Sequence, residues 1–448
     1  MLGLNTFAQK SKSINLWFFF IFYCLYFLAC SPRYIQKELV YRADSYPHKI
    51  PERIILNLTE QPSNSMAVTW RTDTTVTNAV AEILEAQSGP QITEKVQVFT
   101  AISQRMDFKG DSEQPINVNY HSVEFHNLQD DTKYMYRVGD GKTWSEWFHF
   151  KTAAKNDKPY SFIYLGDVQN NIKSMCSRVI REAYATCPDA GFIIYAGDLI
   201  NHSGNDMEWG EWFQGGGFIH AMIPSIMTPG NHEYGKDMEL DPFWRHQFTL
   251  PANGPKGLEE TCFFIDYQDL RLISLDADMI DEFSWAEDAQ KLWLDSVLTH
   301  KKKRWTVVML HFPFFSTKPS RDNPQLRAVF GPIIEKHKVD LVLQGHDHAY
   351  GRGMKNIPSF VDKSTPTSTM FVVSVSGTKM YDLADRNWMT RRARNTQLFQ
   401  VISVAKDTLS FQAFTATREL YDAFDLIKQP DAPNKLIDKS PPIPERLE

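Results

Sequence analysis

The chain has 448 residues, 42% of them hydrophobic and 23% charged, with a formal net charge of −6. That length supports two or three domains around a large buried core. The acidic balance gives no reason to expect the basic surface that a nucleic-acid-binding protein needs, and five cysteines are too few for a disulfide scaffold.

At the N-terminus, Lys10 and Lys12 precede an apolar run from Ile14 to Ala29, closed by Cys30-Ser31-Pro32. A basic start, a short apolar stretch and a small residue before the break are the parts of a secretory signal, here 1–30. Phe27-Leu28-Ala29-Cys30 resembles a bacterial lipoprotein box, although Phe27 stands where Leu is usual. The resemblance implies lipidation of Cys30 and an exported protein anchored to a membrane, in the periplasm or at the cell surface. The alternative retains the segment as a signal anchor, for which about sixteen apolar residues are short. Residues 31–49 are polar, lack a clear period and read as a tether.

From 50 to 152 the pattern is strand and turn throughout. Ile54-Ile55-Leu56, Met66–Trp70 and Val123-Glu124-Phe125 are short strands between polar clusters. Leu128, Thr132, Tyr134 and Tyr136 then fall at the spacing of the corner and sixth strand of a fibronectin type III sandwich, which this region resembles. The likeness implies a tyrosine hydroxyl bonded to backbone at the bend, with Trp70 as the core tryptophan.

Ala153–Lys158 is a polar linker. Beyond it, from 158 to 428, strands alternate with helical patterns at 171–186 and 285–300, which argues an α/β sheet with helices outside. The basic run Lys301-Lys302-Lys303-Arg304 reads as a solvated turn before the strand WTVVML. Trp209–Gly217 reads as packing followed by a flexible turn. Residues 429–448, rich in Pro and charge, read as a loose tail. Of the remaining cysteines, Cys176 and Cys187 either bridge, leaving Cys262 free, or all three stay as buried thiols.

Five polar motifs close apolar runs in this second region: SFIYLG-Asp167, FIIYAG-Asp198, MTPG-Asn231-His232-Glu233, TVVML-His311 and LVLQG-His346-Asp347-His348. Asp, Asn and His gathered from several strand ends form the ligand inventory of a two-metal hydrolytic centre. Glycine beside several of them lets the backbone turn sharply.

In order and spacing these motifs resemble the calcineurin-like metallophosphoesterases, with their Asp-x-His, Gly-Asp, Gly-Asn-His-(Asp/Glu), lone His and Gly-His-x-His. Glu233 in place of Asp, the segment Phe243–Phe248 and the preceding β-domain are most similar to purple acid phosphatases and their bacterial relatives. The likeness implies an all-β sandwich ahead of an α/β core of two packed sheets flanked by helices. It also implies two divalent ions, Fe, Mn or Zn, bridged by Asp198. One ion takes Asp167, Asp198 and His348; the other takes Asp198, Asn231, His311 and His346. A hydroxide between the ions attacks a phosphate monoester, His232 binds the phosphate and protonates the leaving oxygen, and Glu233 orients a ligand.

Two positions depart from the family. Asp167-Val168-Gln169 lacks the usual histidine, and Asn201 stands where purple acid phosphatases carry a metal-binding tyrosine. Without that phenolate a colourless protein is expected, with Gln169 or Asn201 supplying a neutral oxygen. The loops 201–225 and 351–395 decide between a phosphomonoesterase and a phosphodiesterase for nucleotides or lipid head groups. A decayed core serving only as a binding lipoprotein is the reading outside enzymology.

Overall fold

The computed structural model describes residues 46–109, 115–300, 303–429 and 432–448. The signal segment, Cys30 and nearly all of the tether lie outside them. Among the described residues no helix is long and apolar enough to cross a membrane.

Among the described residues, eight strands build the N-terminal region: β1 (Glu52–Asn57), β2 (Met66–Asp73), β3 (Val80–Glu85), β4 (Gln97–Thr100), β5 (Ile102–Phe108), β6 (Ile116–Phe125), β7 (Lys133–Gly139) and β8 (Phe148–Lys151). The order β4-β3-β7-β8 makes one sheet, and β1-β2-β6-β5 makes the other face. Trp70 is fully buried between them. The tyrosine at the bend is Tyr134, whose hydroxyl accepts a 2.8 Å hydrogen bond from the Gln129 amide.

The second region opens with β9 (Tyr160–Leu165), α1 (Ser177–Thr186), β10 (Ile193–Tyr195), α2 (Asp206–Gly216) and β11 (Ser225–Met227). The three strands run parallel, and their central strand is apolar because helices and a second sheet cover both faces. That second sheet has the order β12 (Phe263–Tyr267), β13 (Leu270–Ser274), β14 (Trp305–Leu310), β15 (Leu341–Gln344), β17 (Met370–Val373), β16 (Tyr350–Gly353) and β18 (Arg391–Ala393). Its side chains alternate as a pleated strand requires. Val307, Met309, Leu341, Leu343, Met370 and Val372 face the first sheet. Val308, Leu310, Val342, Phe371 and Val373 face an outer layer containing α3 (Ser284–Thr299).

Sheet connectivity joins the two regions more tightly than a linker would. β1 pairs in parallel with β11 at Asn57 and Ser225, and the Asn57 amide donates to the Ser225 carbonyl at 2.8 Å. One eleven-stranded sheet therefore runs through both regions and ends in β19 (Leu398–Ala405), β20 (Thr408–Thr415), β21 (Leu420–Ile427) and β22 (Lys435–Asp438).

Two expectations need correction. The tail is not loose: β22 pairs antiparallel with β21, and Arg391 donates to the Ile443 carbonyl at 3.0 Å. The supposed turn around Trp209 is mostly helix α2, started by the Asn205 side chain, which accepts from the Met207 and Glu208 amides. Of the two states left open for the cysteines, the structure has free thiols at Cys176, Cys187 and Cys262, with Cys187 only partly buried.

Candidate metal centre

The polar motifs meet because the strands carrying them are parallel and leave their sheets at the same end, where open α/β sheets place their sites. Asp167 follows β9, Asp198 follows β10, Asn231 follows β11, His311 follows β14, and His346 and His348 follow β15. The turns are tight. A Cβ on Gly230 would lie 2.4 Å from Asp198 Oδ1, and one on Gly345 would lie 2.1 Å from Asp167 Oδ1. Three candidate ligands hold left-handed backbone, Asp198 at φ 52°, His346 at 72° and His348 at 47°. Such conformations cost energy in non-glycine residues and concentrate at functional sites.

Two groups of ligand atoms result, each lying within 4.8 Å of one another: Asp198, His311 and His346, and Asp167, Asp198 and His348. Asp198 belongs to both. Asn231 joins the first, with its Oδ1 3.3 Å from His311 Nε2. These six are the residues that the strand-end motifs singled out.

Hydrogen bonding fixes which ring atoms face inward. His311 Nδ1 donates to the Ala196 carbonyl at 2.8 Å, so its Nε2 is the ring atom that faces Asp198 Oδ1 at 3.2 Å and His346 Nδ1 at 3.1 Å. His348 Nδ1 donates to the Lys379 carbonyl at 2.9 Å, leaving Nε2 3.2 Å from Asp167 Oδ2. Buried Asp167 Oδ2 and Gln169 Oε1 have no hydrogen-bond partner among the described residues. Converging acceptors without donors, in a buried setting, are satisfied by cations. The donor set of carboxylate, amide oxygen and imidazole suits divalent Fe, Mn or Zn, so the residues fit the expected pair of ions.

Electrostatics register the same demand. Burial pushes the Asp167 carboxyl up to about 7, with Asp198 adding to the rise and His311 opposing it. Burial also penalises ionised Asp198, yet His311, His232 and His346 hold it below the usual carboxylate range. The His311 imidazole sits well above its usual range: burial works against this, and Asp198, Asp167 and Asp278 overcome it.

Around the ligands, Glu233 is fully buried and accepts from the amides of Asp198, Leu199, Ile200 and Gly230 at 2.7–3.2 Å. It therefore shapes the turn presenting Asp198, in line with the orienting role expected of it. His232 Nδ1 donates to the Asn201 carbonyl at 2.6 Å, and its Nε2 lies 3.9 Å from Asp198 Oδ2.

The two departures part company. Gln169 Nε2 donates to Asp198 Oδ2, which places its side chain inside the cluster. The Asn201 amide instead takes a bond from Asn170 at 2.9 Å and contacts the His202 ring, so its contribution comes through its backbone carbonyl. His202 is exposed and paired with Glu208, and His220 is a core residue bonded to Tyr195.

The motifs gave no sign of three features. Asp347, the residue between the two histidines, is buried and gathers Ser316 Oγ at 2.7 Å, the Thr317 amide at 2.6 Å and Arg321 at 2.6 Å. A cavity of about 330 Å³ opens beside His346, lined by Phe312, Arg321, Asn323, Gln325 and Asp281 among others. On the other side, the Tyr381 ring lies 4.6 Å from the His348 ring.

A β-sandwich continuous with a two-sheet α/β core, carrying Asp, Asn and His at parallel strand ends, defines a metallophosphoesterase architecture. Known proteins agree. Residues 51–152 match the purple acid phosphatase N-terminal domain, and 160–350 match the calcineurin-like phosphoesterase domain. The chain is 27% identical to a phosphoenolpyruvate phosphatase of Allium cepa, over 59% of this chain and 59% of that protein. It is 28% identical to an Fe(3+)-Zn(2+) purple acid phosphatase of Arabidopsis thaliana, over 52% and 53% respectively. The chain thus spans little more than half the length of these curated relatives. The structure of a purple acid phosphatase from yellow lupin superimposes with a TM-score of 0.69 at 17% identity, covering 85% of this chain and 74% of that one. Residues 160–350 are thus a calcineurin-like phosphoesterase domain, preceded at 51–152 by a purple acid phosphatase N-terminal domain.

Proposed function

We propose that this chain is an exported phosphatase that hydrolyses phosphate monoesters at a pair of divalent metal ions. The observation that carries the reading is the convergence of Asp167, Asp198, His311, His346 and His348, with buried Asp167 Oδ2 and Gln169 Oε1 lacking a hydrogen-bond partner among the described residues. Asp167, Asp198 and His348 hold one ion, with Gln169 as an added neutral oxygen; Asp198, Asn231, His311 and His346 hold the other. Such ions, when bound, supply positive charge against a phosphoryl group and activate water at neutral pH.

The chain's own residues do the rest. His232, a quarter exposed and fixed through Nδ1 by Asn201, directs Nε2 toward the open side of the cluster. There it donates to a phosphoryl oxygen and delivers a proton to the departing alcohol. Glu233 and Asp347 hold the ligand turns so that this geometry is set before substrate arrives. The basic, apolar and Cys30 elements of the first thirty residues support export and lipid anchoring. A relative named for iron and zinc supports those metals here.

Metal analysis of the purified protein, combined with hydrolysis of a chromogenic monoester and diester with added Mn, Fe or Zn, tests the reading. About two metals per chain, faster turnover of the monoester, and loss of both metal and turnover in Asp198→Ala are expected. Absence of metal and of turnover on either ester overturns it.

A further inference from the structure

Beside the candidate centre, two lysines converge on one tyrosine ring. Lys318 Nζ lies 4.1 Å and Lys379 Nζ 5.6 Å from the centre of the Tyr381 ring. That ring packs against the candidate ligand His348, and the Tyr381 amide donates to the His348 carbonyl at 3.2 Å. Both lysines are half-buried. Neither ammonium group makes an ion pair or a hydrogen bond among the described residues.

Each side chain is partly taken out of water without gaining a carboxylate partner among the described residues. The acidic residues nearby are already engaged. Asp347 holds Arg321, Asp382 holds Arg394 and Asp385 holds Arg392. Contact with an aromatic face offsets part of the desolvation of an ammonium group but leaves its hydrogen-bond donors unused. In a chain of net charge −6, two unpaired cations against one tyrosine ring are a local concentration of positive charge.

Their position is also fixed by the centre itself. The Lys379 carbonyl is the acceptor that orients His348. The Lys318 amide donates to Ser316 Oγ at 3.0 Å, and that hydroxyl donates in turn to Asp347. Both side chains therefore start from backbone tied to the ligand loop and stand at a set distance from it.

We propose that Lys318 and Lys379 form a subsite for a second anionic group, phosphate or carboxylate, on the part of the substrate that is not the scissile phosphate. The inference rests on the phosphomonoesterase reading above and narrows its substrate class to esters bearing such a group. Binding energy from a remote anion then adds to that at the reacting phosphate, so esters with neutral alcohols are the poorer substrates.

Three non-hydrolysable probes test it by calorimetry on the metal-loaded protein: methylphosphonate, methylenediphosphonate and phosphonoacetate. At least one probe with a second anion should bind about tenfold tighter than methylphosphonate, as charge-assisted hydrogen bonds allow. That advantage should vanish in Lys318→Ala/Lys379→Ala, which keeps both backbone contacts. Tight phosphonoacetate makes the second anion a carboxylate, and tight diphosphonate alone makes it a phosphate. Equal affinity for all three probes, or an advantage that survives in the double variant, overturns the subsite. Turnover of a neutral chromogenic monoester is measured in parallel. Its absence from the wild-type protein, with the lysine-dependent difference intact, removes the phosphatase reading and leaves the anion site standing.

Discussion

Glu233 and Asp198 are joined through the backbone: Glu233 Oε2 accepts from the Asp198 amide at 2.9 Å, and Oε1 accepts from the next two amides of that turn. The bridging candidate thus owes its left-handed conformation to a carboxylate that is not itself in either ligand group. Replacing Glu233 by Gln sets an NH2 group against an amide N–H. We expect Glu233→Gln to weaken metal binding roughly ten- to a hundredfold, the usual effect of losing a partner that orients a ligand. Titration of the apoprotein with Mn or Zn checks this, and unchanged affinity would mean the turn holds without the carboxylate.

Gln169 and Asn201 should behave differently when truncated. Gln169 touches Asp198 and leaves a buried oxygen without a partner, so Gln169→Ala should weaken one of two metal sites about tenfold. The Asn201 side chain is engaged by Asn170 and His202, so Asn201→Ala should leave both affinities as they are. Stepwise metal release, followed by elemental analysis, separates the two cases. Equal losses in the two variants would contradict the geometry.

The ligands were legible because the fold puts them at strand ends. A buried parallel strand reads as an apolar run, a glycine marks the sharp turn, and Asp167, Asp198 and His311 come immediately afterwards. The fold class was legible for the same reason. Lys318, Arg321, Lys379 and Tyr381 lie in irregular segments whose position depends on tertiary contacts, and no period marks them. β22 was hidden because Lys435–Asp438 is a short edge strand amid Pro and charge, where composition says little about pairing. α2 was hidden by its glycines, although Asn205 three residues before Glu208 is a readable helix start.

Acid should destabilise this fold through buried histidines. His220 lies fully buried against Trp212, bonded to the Tyr195 hydroxyl, and burial lowers its pKa to about 3 from an ordinary 6.5. The unfolded chain therefore binds a proton at this site below about pH 6.5 while the folded chain does not until about pH 3. Stability at this site is fully present above pH 6.5 and falls as pH drops toward 3. His121, lowered by burial to about 4, adds in the same direction. His220→Phe should flatten the dependence between pH 6 and 4 by about one proton, or about 1.4 kcal/mol per pH unit. Urea unfolding at several pH values measures it, and an unchanged slope would show that other groups dominate.

The junction of the two regions depends on a buried cluster of charges. Asp206, the first residue of α2, accepts from Arg53 at 2.7 Å and from Arg71 at 2.8 Å, and all three are almost entirely buried. Arg71 keeps Glu52 at 2.6 Å as a second partner, whereas among the described residues Arg53 otherwise has only neutral acceptors in Gln247 and the Asp206 carbonyl. Removing the carboxylate leaves a buried cation uncompensated, at a cost of about 3 kcal/mol or more. Asp206→Ala should therefore lower the urea midpoint of the whole unit, and Arg53→Met in the same chain should recover part of the loss. Because α2 sits over β1 and the seam with β11, we expect one cooperative transition in each variant. Two separated transitions would show that the shared sheet does not couple the regions.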